Sequence, residues 1–376
     1  MSFSDVFRQL DREDLQLQIY QKTSMDVQRA LRARKRNLQD FMALISPAAE
    51  PFLEEMARES YRLTRQRFGR TIQLYIPLYL SNKCHNICTY CGFSLNNPVR
   101  RITLSPEQLH REARAIRKMG FEHVLLLTGE APGTVGMPYF REAIPLMKGY
   151  FAHVSLEVQP LDQHEYEELI SLGTDAVMIY QETYCQSAYA RYHLRGNKQD
   201  FLYRLETADR LGKAGIKKIG IGPLIGLENW RTDAFFTTVH LDYLQRHYWR
   251  TRYSISFPRL RPCEGEEQPC SPMNERQLVQ LICAWRIFAP EVELSLSTRE
   301  SPGFRDHAVN LGITSMSAAS STRPGGYADP QQRALEQFAI DDNRSVTEVV
   351  AMIKASNLEV VWKDHELRIE KPLIES

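Results

Sequence analysis

Long apolar runs and an excess of one charge sign are both missing from this sequence of 376 residues. No apolar run is long enough to span a bilayer, and the first residues, Met1 to Arg8, lack the apolar core of a secretory signal. Because 47 Lys and Arg face 46 Asp and Glu, no global attraction to nucleic acid or membrane is expected. We therefore expect a cytoplasmic protein without a membrane partner.

Cysteine is sparse, and its seven copies, an odd number in so long a chain, do not indicate a disulfide framework. Reduced thiols in a cytosol-like compartment follow. Four cysteines are irregularly spaced, namely Cys185, Cys263, Cys270 and Cys283. These are interpreted as idle thiols, and a second metal cluster held by Cys263 and Cys270 stays open as an alternative.

The other three cysteines, Cys84, Cys88 and Cys91, form a C-x3-C-x2-C motif directly after an apolar run. Cysteine thiolates are the usual ligands of iron–sulfur clusters, and three of them leave one iron of a 4Fe–4S cluster without a protein ligand. An open coordination position is where a metal binds and activates a small molecule. A zinc knuckle with His85 and a chance grouping are the alternatives, although no second C-x2-C pair is present.

The chain around this motif reads as three parts: a helical extension over residues 1–70, a body over 71–340 and a C-terminal tail over 341–376 that packs on the body. Ser46-Pro47 and Ser105-Pro106 are typical helix starts. The basic run 32–36 is interpreted as a solvated helix face, with a contact to RNA or to a partner as the alternative. Glycines after the predicted helices are typical of left-handed C-caps, namely Gly120, Gly173, Gly215 and Gly312.

Eight short apolar segments alternate with amphipathic helices in the body, which predicts a (β/α)8 TIM-type barrel. A doubly wound open sheet is the alternative, because closure is not visible in a sequence. The predicted strands are Gln73–Leu80, His123–Thr128, His153–Gln159, Ala176–Gln181, Lys218–Gly222, Tyr253–Phe257, Val292–Ser297 and Ile313–Ala318.

The cysteine motif, with Tyr90 before its third cysteine, resembles that of the radical S-adenosylmethionine (SAM) enzymes, in which the free iron binds SAM. The resemblance implies SAM and a 4Fe–4S cluster as cofactors. Active sites of parallel barrels lie at the carboxyl ends of the strands, so polar residues there are the candidate cofactor contacts. Together with two aromatic residues of the motif and two positions without a polar side chain, the candidate cofactor contacts are Tyr90, Phe93, Thr128, Gly129, Glu130, Glu157, Gln159, Glu182, Arg204 and Ile221.

Within this set the resemblance assigns parts of SAM to individual residues. Segment 128–130 would hold the methionine amino group, Glu182 the ribose hydroxyls, Arg204 the carboxylate and the strand containing Ile221 the adenine. Period-two alternation places Glu157 and Gln159 toward the lumen, with a ligand amine or a structural arginine as partner. An ordinary surface arginine is the alternative for Arg204.

A second group of polar residues ends the last two strands. Arg299 with Ser317 and Ser320 is a natural receptor for an amino-acid carboxylate, since a guanidinium binds carboxylates through two parallel bonds. A structural salt bridge is the alternative for Arg299. Arg259 and Arg261 either face the same site or pair with acids.

Segments spread over nearly the whole chain, among them 180–184, 296–300 and 323–327, resemble the aromatic amino-acid lyases of the radical SAM superfamily, and most closely the tyrosine lyases of thiamine thiazole biosynthesis. The resemblance implies cleavage of the Cα–Cβ bond of tyrosine after hydrogen removal from its amino group, with p-cresol and 2-iminoacetate as products. It also implies thiazole synthase and an electron donor such as flavodoxin or ferredoxin as partners. A lyase of tryptophan or another amino acid, and a non-catalytic zinc or iron–sulfur protein, are the alternatives.

Overall fold

A closed barrel of eight parallel strands forms the body of the protein. The computed structural model describes residues 2–263, 271–329 and 336–363. The described strands are β1 (Thr71–Ser81), β2 (Ile87–Cys88), β3 (His123–Thr128), β4 (His153–Glu157), β5 (Ala176–Met178), β6 (His193–Arg195), β7 (Lys218–Ile221), β8 (Arg252–Ser256), β9 (Glu293–Leu296), β10 (Ser315–Ser317) and β11 (Glu359–Val361).

The barrel strands are hydrogen-bonded in the order β1-β3-β4-β5-β7-β8-β9-β10, and β10 returns to β1. Gln73 of β1 lies opposite Ser315 of β10, and Ile76 lies opposite Val124 of β3, so β1 is paired on both sides. This pairing confirms the barrel and rules out the open sheet. All eight predicted strands are present within a few residues of their expected bounds, because each is a short apolar segment covered by helices.

Helices connect and surround these strands. The described α-helices are α1 (Phe3–Phe7), α2 (Arg12–Tyr20), α3 (Ser24–Arg32), α4 (Leu38–Ile45), α5 (Leu53–Phe68), α6 (Pro106–Lys118), α7 (Met137–Tyr150), α8 (Gln163–Ser171), α9 (Gln186–Tyr192), α10 (Phe201–Leu205), α11 (Thr207–Ala214), α12 (Trp230–His247), α13 (Glu275–Phe288), α14 (Pro302–Ala308) and α15 (Val346–Ala355). Two 3₁₀ helices cover Pro47–Phe52 and Asn197–Gln199. No described helix is both long and apolar enough to cross a membrane.

Local capping agrees with the predictions in part. The Ser105 side chain accepts a hydrogen bond from the Gln108 amide, as predicted for a capping box, and Gly215 ends α11 in the left-handed conformation. Ser46 instead precedes a 3₁₀ helix and donates its hydroxyl to the Ala43 carbonyl, because Pro47 and Pro51 shorten the first turns. Gly312 is not left-handed; the position of its missing Cβ is taken by the Ser60 hydroxyl at 2.9 Å.

The N-terminal helices lie on the outside of the barrel. The Phe3 ring stacks on His240 of α12 with centroids 3.8 Å apart, and Gln280 of α13 donates to the Leu44 and Ser46 carbonyls. The basic run is not a uniformly solvated helix face, because α3 ends at Arg32 and Arg36 turns inward to pair with Glu59 at 3.2 Å. The division of the chain at residues 70 and 340 stays a prediction.

Candidate active site

One large cavity opens at the carboxyl ends of the barrel strands, and it contains about 1330 Å³ of space with its open mouth included. Fourteen of the sixteen candidate site residues line it. They are Cys84, Cys88, Tyr90, Cys91, Phe93, Thr128, Gly129, Glu130, Glu157, Glu182, Arg204, Arg299, Ser317 and Ser320. Since these residues come from the loop after β1, from the ends of five other barrel strands and from helix α10, the barrel geometry brings them together.

Two candidates lie outside the cavity lining. Strand β4 ends at Glu157, so the two-residue alternation does not reach Gln159, whose amide donates to the Val135 carbonyl at 2.9 Å. Ile221 is buried in the main apolar core. The prediction that Gln159 faces the lumen is therefore wrong, and a contact of Ile221 with adenine has no support in its position.

The cysteine loop is fixed between two strand ends. Cys88 lies in β2, which pairs with β6 opposite His193, and the Tyr90 hydroxyl is 2.7 Å from Nε2 of that histidine. On the other side the Gly129 amide donates to the Ser81 carbonyl. A Cβ on Gly129 would meet the Lys83 carbonyl oxygen at 2.2 Å, so the loop sits where any larger residue would place its side chain.

The three thiols border the same cavity without converging on one point. Within the described ranges, no three His, Cys, Asp or Glu side chains are arranged as the ligands of a single metal ion. Zinc needs four donors at one tetrahedral centre, so this arrangement does not supply the zinc knuckle considered above. A 4Fe–4S cluster is larger, and its three cysteines bind different irons.

Burial disfavours the thiolate form of two of the three cysteines. Burial raises the pKa of Cys84, and burial raises the pKa of Cys88 well above its usual value, although Lys198 acts in the opposite direction there. A thiol in such surroundings keeps its proton unless a metal replaces it. The cavity lining includes no fourth cysteine among the described residues, which leaves one iron of a cube for a ligand.

Glu130 connects the end of β3 to the cysteine loop and to α10. Its Oε2 accepts from Asn86 Nδ2 at 2.8 Å and its Oε1 accepts from Arg204 Nη1 at 3.0 Å. Its carbonyl accepts from the His85 amide at 2.9 Å. The neighbouring Thr128 Oγ1 is buried without a partner among the described residues. An orphaned hydroxyl at the wall of a cavity is suited to a ligand, since unpaired buried polar atoms are costly.

Glu182, which follows β5, lines the cavity near Glu130 and has a left-handed backbone conformation with φ at 69°. Its Oε1 accepts from Lys198 Nζ at 2.7 Å and lies 3.5 Å from Arg204 Nη2. Burial acts to raise the pKa of Glu182, but Lys198 and Arg204 together hold it below its usual value. The Arg204 side chain is only 7% exposed, so the surface-arginine alternative is wrong.

Arg299, the predicted carboxylate receptor, donates a long hydrogen bond of 3.5 Å from Nη1 to the Arg259 carbonyl. The guanidinium of Arg299 stacks on the Phe338 ring at 3.3 Å from its centroid, and no carboxylate of the described residues forms an ion pair with it. Arg259 and Arg261 both form ion pairs with Glu300, so of the two roles considered for them the structural one applies. Ser320 Oγ is buried without a partner in the part of the chain that the structure describes.

A short segment beyond the last barrel strand covers this part of the cavity, and we call residues 336–338 the covering segment. Gln337 accepts from the Tyr79 hydroxyl at 2.7 Å and its side-chain amide lies 3.6 Å from Cys91 Sγ. Its backbone amide donates to the Thr322 carbonyl at 3.1 Å. The covering segment therefore contacts both the cysteine loop and, through Phe338, the guanidinium of Arg299.

Several lining residues were not predicted from the sequence, and they are Tyr75, Tyr79, Asn86, Tyr180, Lys198, Gln337 and Phe338. Lys198 is in a surface-like sequence, Gly-Asn-Lys-Gln, and only the 3₁₀ turn over Asn197–Gln199 directs it inward. The tyrosines belong to predicted strands, and strict alternation along β1 would have placed Tyr75 and Tyr79 on the lumen side with Pro77. Of the four cysteines interpreted as idle, Cys283 is buried in the core, which agrees with that interpretation. Cys270 lies outside the described residues.

Comparisons with known proteins agree with this arrangement. The radical SAM superfamily matches residues 78–237, and the biotin and thiamin synthesis associated domain matches residues 256–359. The chain is 57% identical over 364 residues to 2-iminoacetate synthase of Escherichia coli (strain K12) and 56% identical to that of Salmonella typhimurium (strain LT2), with 96% of both chains covered in each case. The crystal structure of HydG, a maturase of the [FeFe]-hydrogenase, superimposes with a TM-score of 0.87 at 26% identity, covering 93% of this chain and 80% of that one.

Proposed function

The chain belongs to the 2-iminoacetate synthase family of radical SAM enzymes, and from this membership we propose that it cleaves the Cα–Cβ bond of L-tyrosine. The products are 2-iminoacetate and p-cresol, with methionine and 5′-deoxyadenosine formed from SAM. The identity of 57% over 364 residues, which cover 96% of both chains, carries this proposal. The protein is a radical SAM lyase whose cofactors are a 4Fe–4S cluster and SAM.

We assign the cluster to Cys84, Cys88 and Cys91, whose thiols border the cavity together. When bound, the reduced cluster supplies one electron to SAM and so generates the radical that begins the reaction. Asn86 and Glu130 hold the cysteine loop against β3, and the orphaned Thr128 hydroxyl faces the same space. Glu182 and Arg204 offer a carboxylate to ribose hydroxyls and a guanidinium to the SAM carboxylate.

We assign tyrosine to the half of the cavity that contains Arg299 and the two serines. A buried guanidinium without a protein carboxylate binds a substrate carboxylate well, because charge-assisted bonds are strong away from water. The Ser320 hydroxyl lacks a partner among the described residues and so has both its donor and its acceptor available. The covering segment keeps water from this half, which matters for a radical reaction and for an imine product.

The products suggest what acts before and after this enzyme. An external one-electron donor such as flavodoxin or ferredoxin must reduce the cluster, and water would hydrolyse the imine. We therefore propose that 2-iminoacetate passes to thiazole synthase, and that the protein works in the cytoplasm, where thiolate ligands stay reduced.

Anaerobic cluster reconstitution followed by addition of SAM, a reductant and tyrosine tests the proposal. The wild-type protein should form p-cresol and 5′-deoxyadenosine together. Cys88→Ala should form neither and should lose iron, whereas Cys283→Ala, which removes a thiol from the core far from the cavity, should keep both products.

Formation of 5′-deoxyadenosine without p-cresol would retain the radical enzyme and reject tyrosine as the substrate. Tryptophan would then be assayed through its own cleavage product. Full iron content and activity in Cys88→Ala would overturn the assignment of the cysteine motif.

A further inference from the structure

The cavity contains three carboxylates and three cations, and their pairing is uneven. Glu130 and Glu182 are both engaged by Arg204, and Glu182 also by Lys198. Glu157, at the carboxyl end of β4, has neither a hydrogen bond nor an ion pair through its carboxylate within the described residues. One anion and one cation, Glu157 and Arg299, are thus left without an ion pair among the described residues, although each acts on the pKa of the other from a longer distance.

A free amino acid carries the complementary pair of charges, an ammonium group and a carboxylate on one carbon. Because buried charges are costly unless they are paired, a ligand of this kind would complete the cavity. Arg299 already provides for the carboxylate. Glu157 is then the group that remains for the ammonium. It ends β4, four strands from β9 around the barrel, so it lines the cavity from the side across from Arg299.

We propose that Glu157 binds the ammonium group of tyrosine and removes one proton from it before the radical step. This inference rests on the proposed function, in which a hydrogen atom leaves the substrate nitrogen. In the step, one N–H bond breaks, its electron pair stays on nitrogen and the proton moves to a Glu157 oxygen. Nothing is oxidised or reduced, and the proton returns to solvent after the products leave.

The surroundings of Glu157 suit a base that works near neutral pH. Burial raises the pKa of Glu157 to about 7, with Glu182 acting in the same direction and Arg299, Lys198 and Arg204 acting against it. A base is most effective when its pKa lies near the working pH. The other titratable groups facing it are the phenols of Tyr75, Tyr79 and Tyr180, which burial and Glu157 keep protonated.

The test compares wild-type holoenzyme with Glu157→Gln, which keeps the shape of the side chain but accepts no proton. The wild-type kcat/KM for p-cresol should rise with pH through about 7, because the carboxylate form is present above that pH. Glu157→Gln should lose this rise and lose about 100-fold in kcat. Glu157→Asp should recover part of the rate, because it restores a carboxylate that can accept a proton.

A binding measurement without turnover provides a second readout. Calorimetric titration of tyrosine into cluster-loaded protein with SAM but no reductant, in two buffers of different ionisation enthalpy, counts the protons exchanged. At pH 6 the wild-type protein should release close to one proton as Glu157 gives up its own to receive the ammonium. Glu157→Gln should release none.

Each contrary result removes a defined part of the proposal. A higher KM with unchanged kcat and pH profile in Glu157→Gln would make Glu157 an anchor and not a base. A parallel loss of 5′-deoxyadenosine would assign Glu157 to SAM, and equal proton release by both proteins would remove it from the ammonium site. A wild-type protein that forms 5′-deoxyadenosine but no p-cresol would overturn the tyrosine assignment itself, which separates the two failures.

Discussion

Replacing Gly129 by alanine should impair cluster binding and activity while the protein still folds. The new Cβ would lie 2.2 Å from the Lys83 carbonyl oxygen and 3.0 Å from Cys84 Cβ, whereas real Cβ contacts are essentially never under 3.0 Å. The nearest atom is a backbone carbonyl oxygen, which cannot move aside by a change of side-chain rotamer. The cysteine loop must therefore move away from β3 by a substantial part of an ångström.

The size of the effect follows from what that loop carries. Overpacking one methyl group costs about 1–3 kcal/mol of folding stability. A misplacement of about 1 Å among reacting groups costs on the order of 100-fold in rate. We therefore expect Gly129→Ala to fold with a modestly lower Tm and to form p-cresol about 100-fold more slowly, with reduced iron content after reconstitution.

Gly133 offers a matched control on the same connection, because nothing lies within 4 Å of a Cβ added there. Gly133→Ala should keep wild-type iron content, rate and Tm. The assay is iron and sulfide analysis together with the visible absorption of the reconstituted cluster and p-cresol formation. Wild-type cluster content and rate in Gly129→Ala would refute the claim that close contact with β3 positions the cysteine loop.

Three further changes have defined outcomes. Lys198→Met should weaken SAM binding increasingly as pH falls from 7 to 5, because Glu182 loses the nearer of the cations that lower its pKa; equilibrium dialysis at several pH values measures this. Arg299→Gln should raise the KM for tyrosine and leave 5′-deoxyadenosine formation intact, as followed by steady-state kinetics. Arg305→Met should cost about 3–5 kcal/mol in urea unfolding, because it leaves the fully buried Asp342 without that cation.

Contrary outcomes for these three are equally clear. A pH-independent SAM affinity in Lys198→Met would show that the lysine does not control the charge of Glu182. An unchanged KM in Arg299→Gln would move the substrate carboxylate elsewhere. A loss below 1 kcal/mol in Arg305→Met would mean that Arg344, which also pairs with Asp342 at 2.7 Å, is sufficient by itself.

The barrel could be predicted because its strands are apolar on both faces and its helices end at glycines, and both properties are local. Strand β3, His123–Thr128, was predicted to the residue for this reason. The residue at which a strand ends depends more on contacts with the rest of the fold. Glu157 and Gln159 look equivalent in sequence, yet the strand stops between them, and only the first reaches the cavity.

Residues from outside the regular elements were the hardest to predict. Lys198 belongs to a short polar turn, and its role depends on Glu182, sixteen positions earlier, adopting a left-handed conformation. Arg36 lies in a basic run but turns inward to Glu59, since the end of α3 leaves carbonyls that its guanidinium satisfies. Such contacts depend on tertiary packing, which composition and periodicity do not encode.

The covering segment means that the barrel strands alone do not make a complete reaction chamber. Strand β10 closes the barrel against β1, but Gln337 and Phe338, which contact the cysteine loop and Arg299, come only after the chain has passed β10. A truncated variant that ends at Ala319 would retain all eight strands of the barrel, but its metal ligands would be exposed to oxygen. During synthesis, this part of the cavity would be covered only after residues 336–338 had left the ribosome.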